Sequence, residues 1–81
     1  VYRERFRRLF TDCCLDMDKS GNIVLVKTLD GTASAVGEAI DALKLPGMLG
    51  TVAGDDVVLC VVRETTSAQE VLETLRKMAG L

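Results

Sequence analysis

"NIVLVKTLDGTASAVGEAIDALKLPG", residues 22–47, changes its periodicity halfway along. The first part, "NIVLVKT", is a nearly continuous aliphatic and β-branched run, the composition of a well-buried strand. In the second part Val36, Ala39, Ile40 and Leu43 fall at i, i+3, i+4 and i+7, one apolar stripe of a helix. Thr32 is placed to cap the start of that helix, and Pro46 with Gly47 to end it. Ser34, Glu38 and Asp41 lie off the stripe, on a polar flank.

Upstream, Cys13, Leu15 and Met17 alternate with Cys14, Asp16 and Asp18, which is the period-2 signal of a half-buried strand. "KSGN" follows as a turn, with Gly21 able to take positive φ, so residues 12–28 read as a hairpin. The first ten residues, "VYRERFRRLF", place Tyr2, Phe6, Leu9 and Phe10 on one side of a helix and Arg3, Arg5, Arg7 and Arg8 on the others. Such a basic helix serves as a solvated face packed on the next segment, or as a contact for nucleic acid, membrane or another subunit.

Downstream, "MLGTVAG" and "VVLCVVR" are two short strands around Gly54-Asp55-Asp56. "TTSAQEVLETLRKMAGL" is a closing helix with Val71, Leu72, Leu75 and Met78 as its stripe. Thr66 with Gln69 approximates a capping box, Gly80 suits the C′ position, and Arg76 and Lys77 complement the C-terminal dipole. The element order is then helix, ββ, helix, ββ, helix. It predicts an α+β fold, a two-layer sandwich with a ββ-α-ββ-α core, an additional N-terminal helix and a mostly antiparallel sheet. Helices cover one face of the sheet. The other face is also rich in apolar residues, which implies a partner subunit.

The chain has 81 residues, enough for one domain with a modest core, so oligomerisation is a natural supplement. Hydrophobic residues make up 48% and aromatics 4%, which makes that core aliphatic. Histidine is absent, removing the commonest general base and the commonest zinc ligand. A formal charge of −2 leaves no overall footprint for nucleic acid. Cys13, Cys14 and Cys60 lack CxxC spacing and are odd in number, as expected of reduced, core-filling thiols in a cytoplasmic protein. No apolar run approaches ~18 residues, so no membrane span is expected. The chain begins with Val1 rather than Met and is expected to have sequence upstream of it.

Two acidic motifs bear on chemistry. "DMDKSGNIVLVK" starts like a calcium loop, with Asp16, Asp18, Ser20 and Gly21 in order, but the last ligand position is Lys27 where a bidentate glutamate is required. Gly54-Asp55-Asp56 between strands resembles the magnesium-binding tripeptide of viral RNA polymerases, yet this chain is far too short for such an enzyme. Ordinary turn chemistry accounts for Gly-Asp. Two adjacent carboxylates repel unless water or a cation screens them, so burial of the loop in an oligomer would make a cationic ligand the natural partner. "DGTASA" opens a helix whose N–H groups favour a carboxylate. Together these features suit a ligand with one anionic end and cationic groups elsewhere, such as a basic amino acid. Neither a catalytic residue nor a metal site is expected.

"GNIVLVKTLDGTASAVGEAIDAL" followed by "LGTVAGDDVVLCVVR" resembles the C-terminal domain of bacterial arginine repressors, over nearly the whole chain. The resemblance implies one arginine-binding oligomerisation domain spanning residues 1–81, with the family's N-terminal winged helix-turn-helix DNA-binding domain outside this chain. It implies trimers that pair into hexamers, with L-arginine as co-repressor between the trimers and operator DNA engaged through the other domain. The family's paired aspartates match Asp55 and Asp56, which would neutralise the cationic groups of arginine. Thr51 and Ala53 would offer backbone contacts. The acidic helix position corresponds to Asp41, and Ser34 and Ala35 to the residues near the helix start. Ser34 departs from the longer amide or imidazole that members often carry there.

Overall fold

A computed structural model describes residues 2–81, with side chains from residue 4 onward. The expected places of Tyr2 on the N-terminal stripe and of Arg3 off it lie outside the described side chains. The elements run α1 (Tyr2–Cys13), β1 (Cys14–Ser20), β2 (Ile23–Thr28), α2 (Ala33–Leu43), β3 (Met48–Ala53), β4 (Val57–Val62) and α3 (Ala68–Ala79). The four strands form one sheet in the order β1-β2-β4-β3. Every neighbouring pair is antiparallel, so the sheet is wholly rather than mostly so.

The three helices pack on one face of this sheet. Met17, Val24, Val26, Val58, Cys60 and Val62 point from the strands into a shared core with Phe10, Val36, Ile40, Leu72 and Leu75. Phe6, Leu9 and Leu43 pack at its margin. The core is aliphatic apart from Phe10 and its sulfur-bearing side chains. Lying in the sheet interior, β2 and β4 alternate strictly: Val24, Val26, Val58, Cys60 and Val62 are buried, and Leu25 and Leu59 face the other way.

Strand β1 departs from the simple alternation expected for it. Cys13 is the last residue of α1, and the β1–β2 register slips between Cys14 and Asp16. Leu15 is the extra residue of this bulge and is 58% exposed, while Cys14 and Met17 both turn inward. A matching slip between Met48 and Gly50 puts Leu49 outside on β3.

The helix ends differ from expectation in detail. Thr32 holds the N-cap position of α2 but makes no side-chain cap; its hydroxyl donates instead to the Leu29 carbonyl at 2.7 Å. The helix stops at Leu43, before Pro46, because Lys44 turns left-handed (φ 49°). In α3 the cap is Ser67 rather than Thr66: its Oγ accepts from the Glu70 N–H at 3.2 Å. Gly80 closes that helix in the left-handed conformation, as the sequence predicts. Arg76 reaches back to donate to the Met17 carbonyl at 2.8 Å, tying α3 to β1. Among the described residues, no helix is long and apolar enough to cross a membrane.

Candidate functional site

The polar flank of α2 faces the inward side of β3, an edge strand. Ser34, Gly37, Glu38 and Asp41 from α2 meet Thr51 and Ala53 from β3 around an open cleft of about 220 Å³. The α2 positions follow from helical geometry, since i, i+3, i+4 and i+7 share one face. The β3 positions follow from pairing: Thr51 lies opposite Cys60, and Ala53 opposite Val58, both inward-facing partners.

The Thr51 hydroxyl reaches across the cleft to two acceptors on α2. Thr51 Oγ1 lies 3.0 Å from Asp41 Oδ2, with the Gly37 carbonyl a more distant acceptor at 3.5 Å. Gly37 keeps the floor of the cleft low. A Cβ added there would sit 3.5 Å from Thr51 Oγ1 and 3.6 Å from Ala53 Cβ, in ordinary contact.

Asp55 and Asp56 stand on the tight β3–β4 loop just beyond Ala53, and both are exposed. The Gly54 N–H donates to the Val57 carbonyl at 2.8 Å and closes that loop. Main-chain atoms fix its position. The Asp55 carbonyl accepts from the Gly31 N–H at 3.1 Å and the Ala33 N–H at 3.3 Å, and the Asp56 carbonyl accepts from the Thr28 N–H at 2.8 Å. At the start of α2 the Ala33 N–H is thus taken by the Asp55 carbonyl, which leaves the N–H groups of Ser34 and Ala35 as the next donors of the first turn.

Four expected residues, Ser34, Asp41, Thr51 and Ala53, therefore share the walls of one cleft. Ala35, Asp55 and Asp56 are outside those walls within a single chain. Exposure also answers why two like charges tolerate adjacency: water screens them both.

Two lining residues were not singled out as ligand contacts, Gly37 and Glu38. The helical spacing from Ser34 and Asp41 is the signal that points to Glu38. A glycine in the middle of an otherwise good helical pattern is the signal for Gly37.

Cys60, the cross-strand partner of Thr51, is fully buried in the core. Burial pushes its thiol up to about 12, and the Asp41 carboxylate adds to the shift. Burial also raises Cys14, to about 11, helped by neighbouring Cys13. Both thiols stay protonated near neutral pH, which makes them core-filling groups rather than nucleophiles. Among the described residues, no group of three or more histidine, cysteine, aspartate or glutamate side chains converges as a metal site.

Comparison with known proteins places this geometry in context. A family profile described as the arginine repressor C-terminal domain matches residues 10–77. The arginine repressor of Alkaliphilus metalliredigens is 45% identical over 78 residues, covering 96% of this chain and 52% of the relative. That of Symbiobacterium thermophilum is 49% identical over 73 residues, covering 90% of this chain and 49% of the relative. That of Moorella thermoacetica is 42% identical over 74 residues, covering 91% and 49% respectively. The chain spans about half the length of these curated relatives.

Proposed function

The chain belongs to the arginine repressor C-terminal domain family, and from that premise we propose that residues 1–81 form the L-arginine-sensing and oligomerising domain of a cytoplasmic repressor of arginine-metabolism genes. The observation that carries this reading is the α2–β3 cleft, where Ser34, Asp41, Thr51 and Ala53 stand together beside the Asp55-Asp56 loop. An acidic cleft bordered by the first turn of a helix suits a zwitterion with an extra positive charge.

In this reading L-arginine binds where two trimers meet. Its carboxylate is received by the Ser34 and Ala35 N–H groups at the start of α2. Its cationic groups are received by Asp41 and by Asp55 and Asp56, with Thr51 and Ala53 offering main-chain contacts. Because a single chain leaves the Asp55 and Asp56 side chains outside the cleft walls, a second subunit is the natural way to bring both acidic groups onto one ligand. Arginine then binds the hexamer better than separate trimers, and mass action favours the hexamer. A coupling of about 1–3 kcal/mol is the scale to expect. Operator DNA is engaged through a separate winged helix-turn-helix domain. The reading assigns no catalytic step, metal or further cofactor to the domain.

Sedimentation equilibrium with and without millimolar L-arginine tests the proposal. The expected result is a shift from trimer towards hexamer that L-lysine fails to reproduce, since a planar guanidinium pairs with carboxylates in a way an ammonium cannot. A mass that stays at trimer under all conditions overturns it. For a constant hexamer, calorimetry decides: arginine binding supports the sensor, and its absence overturns it.

A second reading has its own observation. Val52 and Leu59, cross-strand partners on the sheet face away from the helices, are 63% and 38% exposed. Half-buried Ile23, Leu25, Val57 and Val61 extend that apolar surface. A subunit interface on this face, with no small-molecule ligand, would make the domain a structural oligomerisation module. Arginine-independent assembly and the absence of arginine binding would favour that alternative.

A further inference from the structure

The geometry points to Glu38 as a ligand-contacting residue of the α2–β3 cleft, its carboxylate pairing with a cationic group of the bound amino acid. The inference rests on the sensing function proposed above and adds to it a residue that the site's expected members do not include.

Three features of the cleft lead to it. Glu38 lines the same walls as Ser34, Asp41, Thr51 and Ala53. It lies one helical turn from each of Ser34 and Asp41, so the α2 side of the cleft is one continuous polar strip. The two carboxylates of that strip also differ in what they already hold. Asp41 Oδ2 is engaged by the Thr51 hydroxyl at 3.0 Å. No hydrogen bond or ion pair joins the Glu38 carboxylate to another described residue, so neither of its oxygens is claimed by them. A carboxylate with both oxygens available can accept two parallel bonds from a guanidinium, whereas Asp41 has already committed one.

Electrostatics points the same way. Glu38 and Asp41 are like charges at i and i+3 on one helix face and repel each other. An exposed pair is screened by water, but a second subunit closing over the cleft would remove that water and raise the cost. A bound cation offsets it. Glu38 thus contributes to affinity for a positively charged ligand, and its carboxylate has no partner among the described residues to lose when replaced.

Calorimetric titration of L-arginine into the wild-type chain and into Glu38→Gln, Glu38→Asp and Glu64→Gln tests the assignment. Glu64 is an exposed carboxylate past the far end of β4 and controls for bulk charge. Glu38→Gln is expected to weaken arginine binding roughly tenfold or more, the scale for losing a hydrogen bond to a charged group. Glu38→Asp should lose less, and Glu64→Gln should bind like wild type. Ligand-free thermal unfolding should coincide for all four proteins, and Glu38→Ala stands in if the glutamine variant folds poorly. Wild-type affinity in Glu38→Gln overturns the assignment while leaving the sensing function intact. Equal losses in Glu38→Gln and Glu64→Gln also overturn it, by tracing the effect to net charge. Failure of the wild type to bind arginine overturns the sensing function, and the role of Glu38 with it.

Discussion

The Thr51 hydroxyl, on the edge strand, is held 3.0 Å from the Asp41 carboxylate on α2, and this contact joins the two walls of the cleft. It involves an exposed acceptor, so its worth to folding is small and its worth to the site is positional. Thr51→Val keeps the shape of the side chain and removes the donor. Stability should fall by no more than about 1 kcal/mol. Arginine binding should weaken by more than that stability change, because Asp41 loses its anchor. Urea denaturation and calorimetry on the same variant separate the two effects. Equal changes in both would reduce Thr51 to a structural residue.

Asp55 and Asp56 hold their loop through main-chain carbonyls, which accept from Gly31, Ala33 and Thr28. Their exposed side chains are therefore dispensable for folding. Asp55→Ala and Asp56→Ala should each stay within about 0.5 kcal/mol of wild type in denaturant unfolding, as exposed substitutions do. Both should lose much of the assembly response to arginine. A variant that unfolds would show that the carboxylates, not the carbonyls, support the loop.

Gly47 sits at φ +80°, and a Cβ on it would run into the side chain of Thr66. Backbone strain and steric overlap then act together. Gly47→Ala should cost roughly 1–3 kcal/mol, the range for a non-glycine residue forced into an unfavourable backbone region. Thermal unfolding measures it. The double variant Gly47→Ala/Thr66→Gly relieves the overlap but not the backbone strain, so recovery should be partial. Full recovery would assign the whole effect to the collision.

The buried thiols give stability a defined dependence at high pH. Cys14 and Cys60 are raised from 9.0 to about 11 and about 12 in the folded chain. Between 9.0 and those values the unfolded chain sheds thiol protons that the native chain retains, so stability falls as pH rises through that window. Below pH 9.0 the contribution is fully present. Cys60→Ala should flatten that decline while lowering stability overall, through the cavity it leaves. At pH 8, Ellman's reagent should reach half-buried Cys13 readily and the other two thiols only on unfolding. Three thiols reacting at one rate in the native protein would contradict this burial.

Much of this was legible locally. The period change within residues 22–47 carries α2 and β2, and the stripe Val36, Ala39, Ile40 is buried as its spacing requires. Gly80 ends α3 because an achiral residue takes the left-handed cap without a steric cost. The bulges at Leu15 and Leu49 were not legible, since a register slip depends on the partner strand rather than on the strand's own alternation. Nor was the choice of Ser67 over Thr66 as cap, because adjacent hydroxyl residues offer nearly the same local chemistry.

The candidate site divides along the same line. By itself the sequence determined the elements, the polar flank of α2 and the paired aspartates between two strands, because periodicity and turn chemistry are properties of neighbouring residues. The tertiary structure alone decided that Thr51 faces Asp41, that Glu38 opens onto the same cleft and that the Asp55 carbonyl takes the Ala33 donor. Those contacts depend on how α2 lies across β3 and on the register of β3 with β4. Both are set by packing between segments distant in the chain, where no local pattern records the distance.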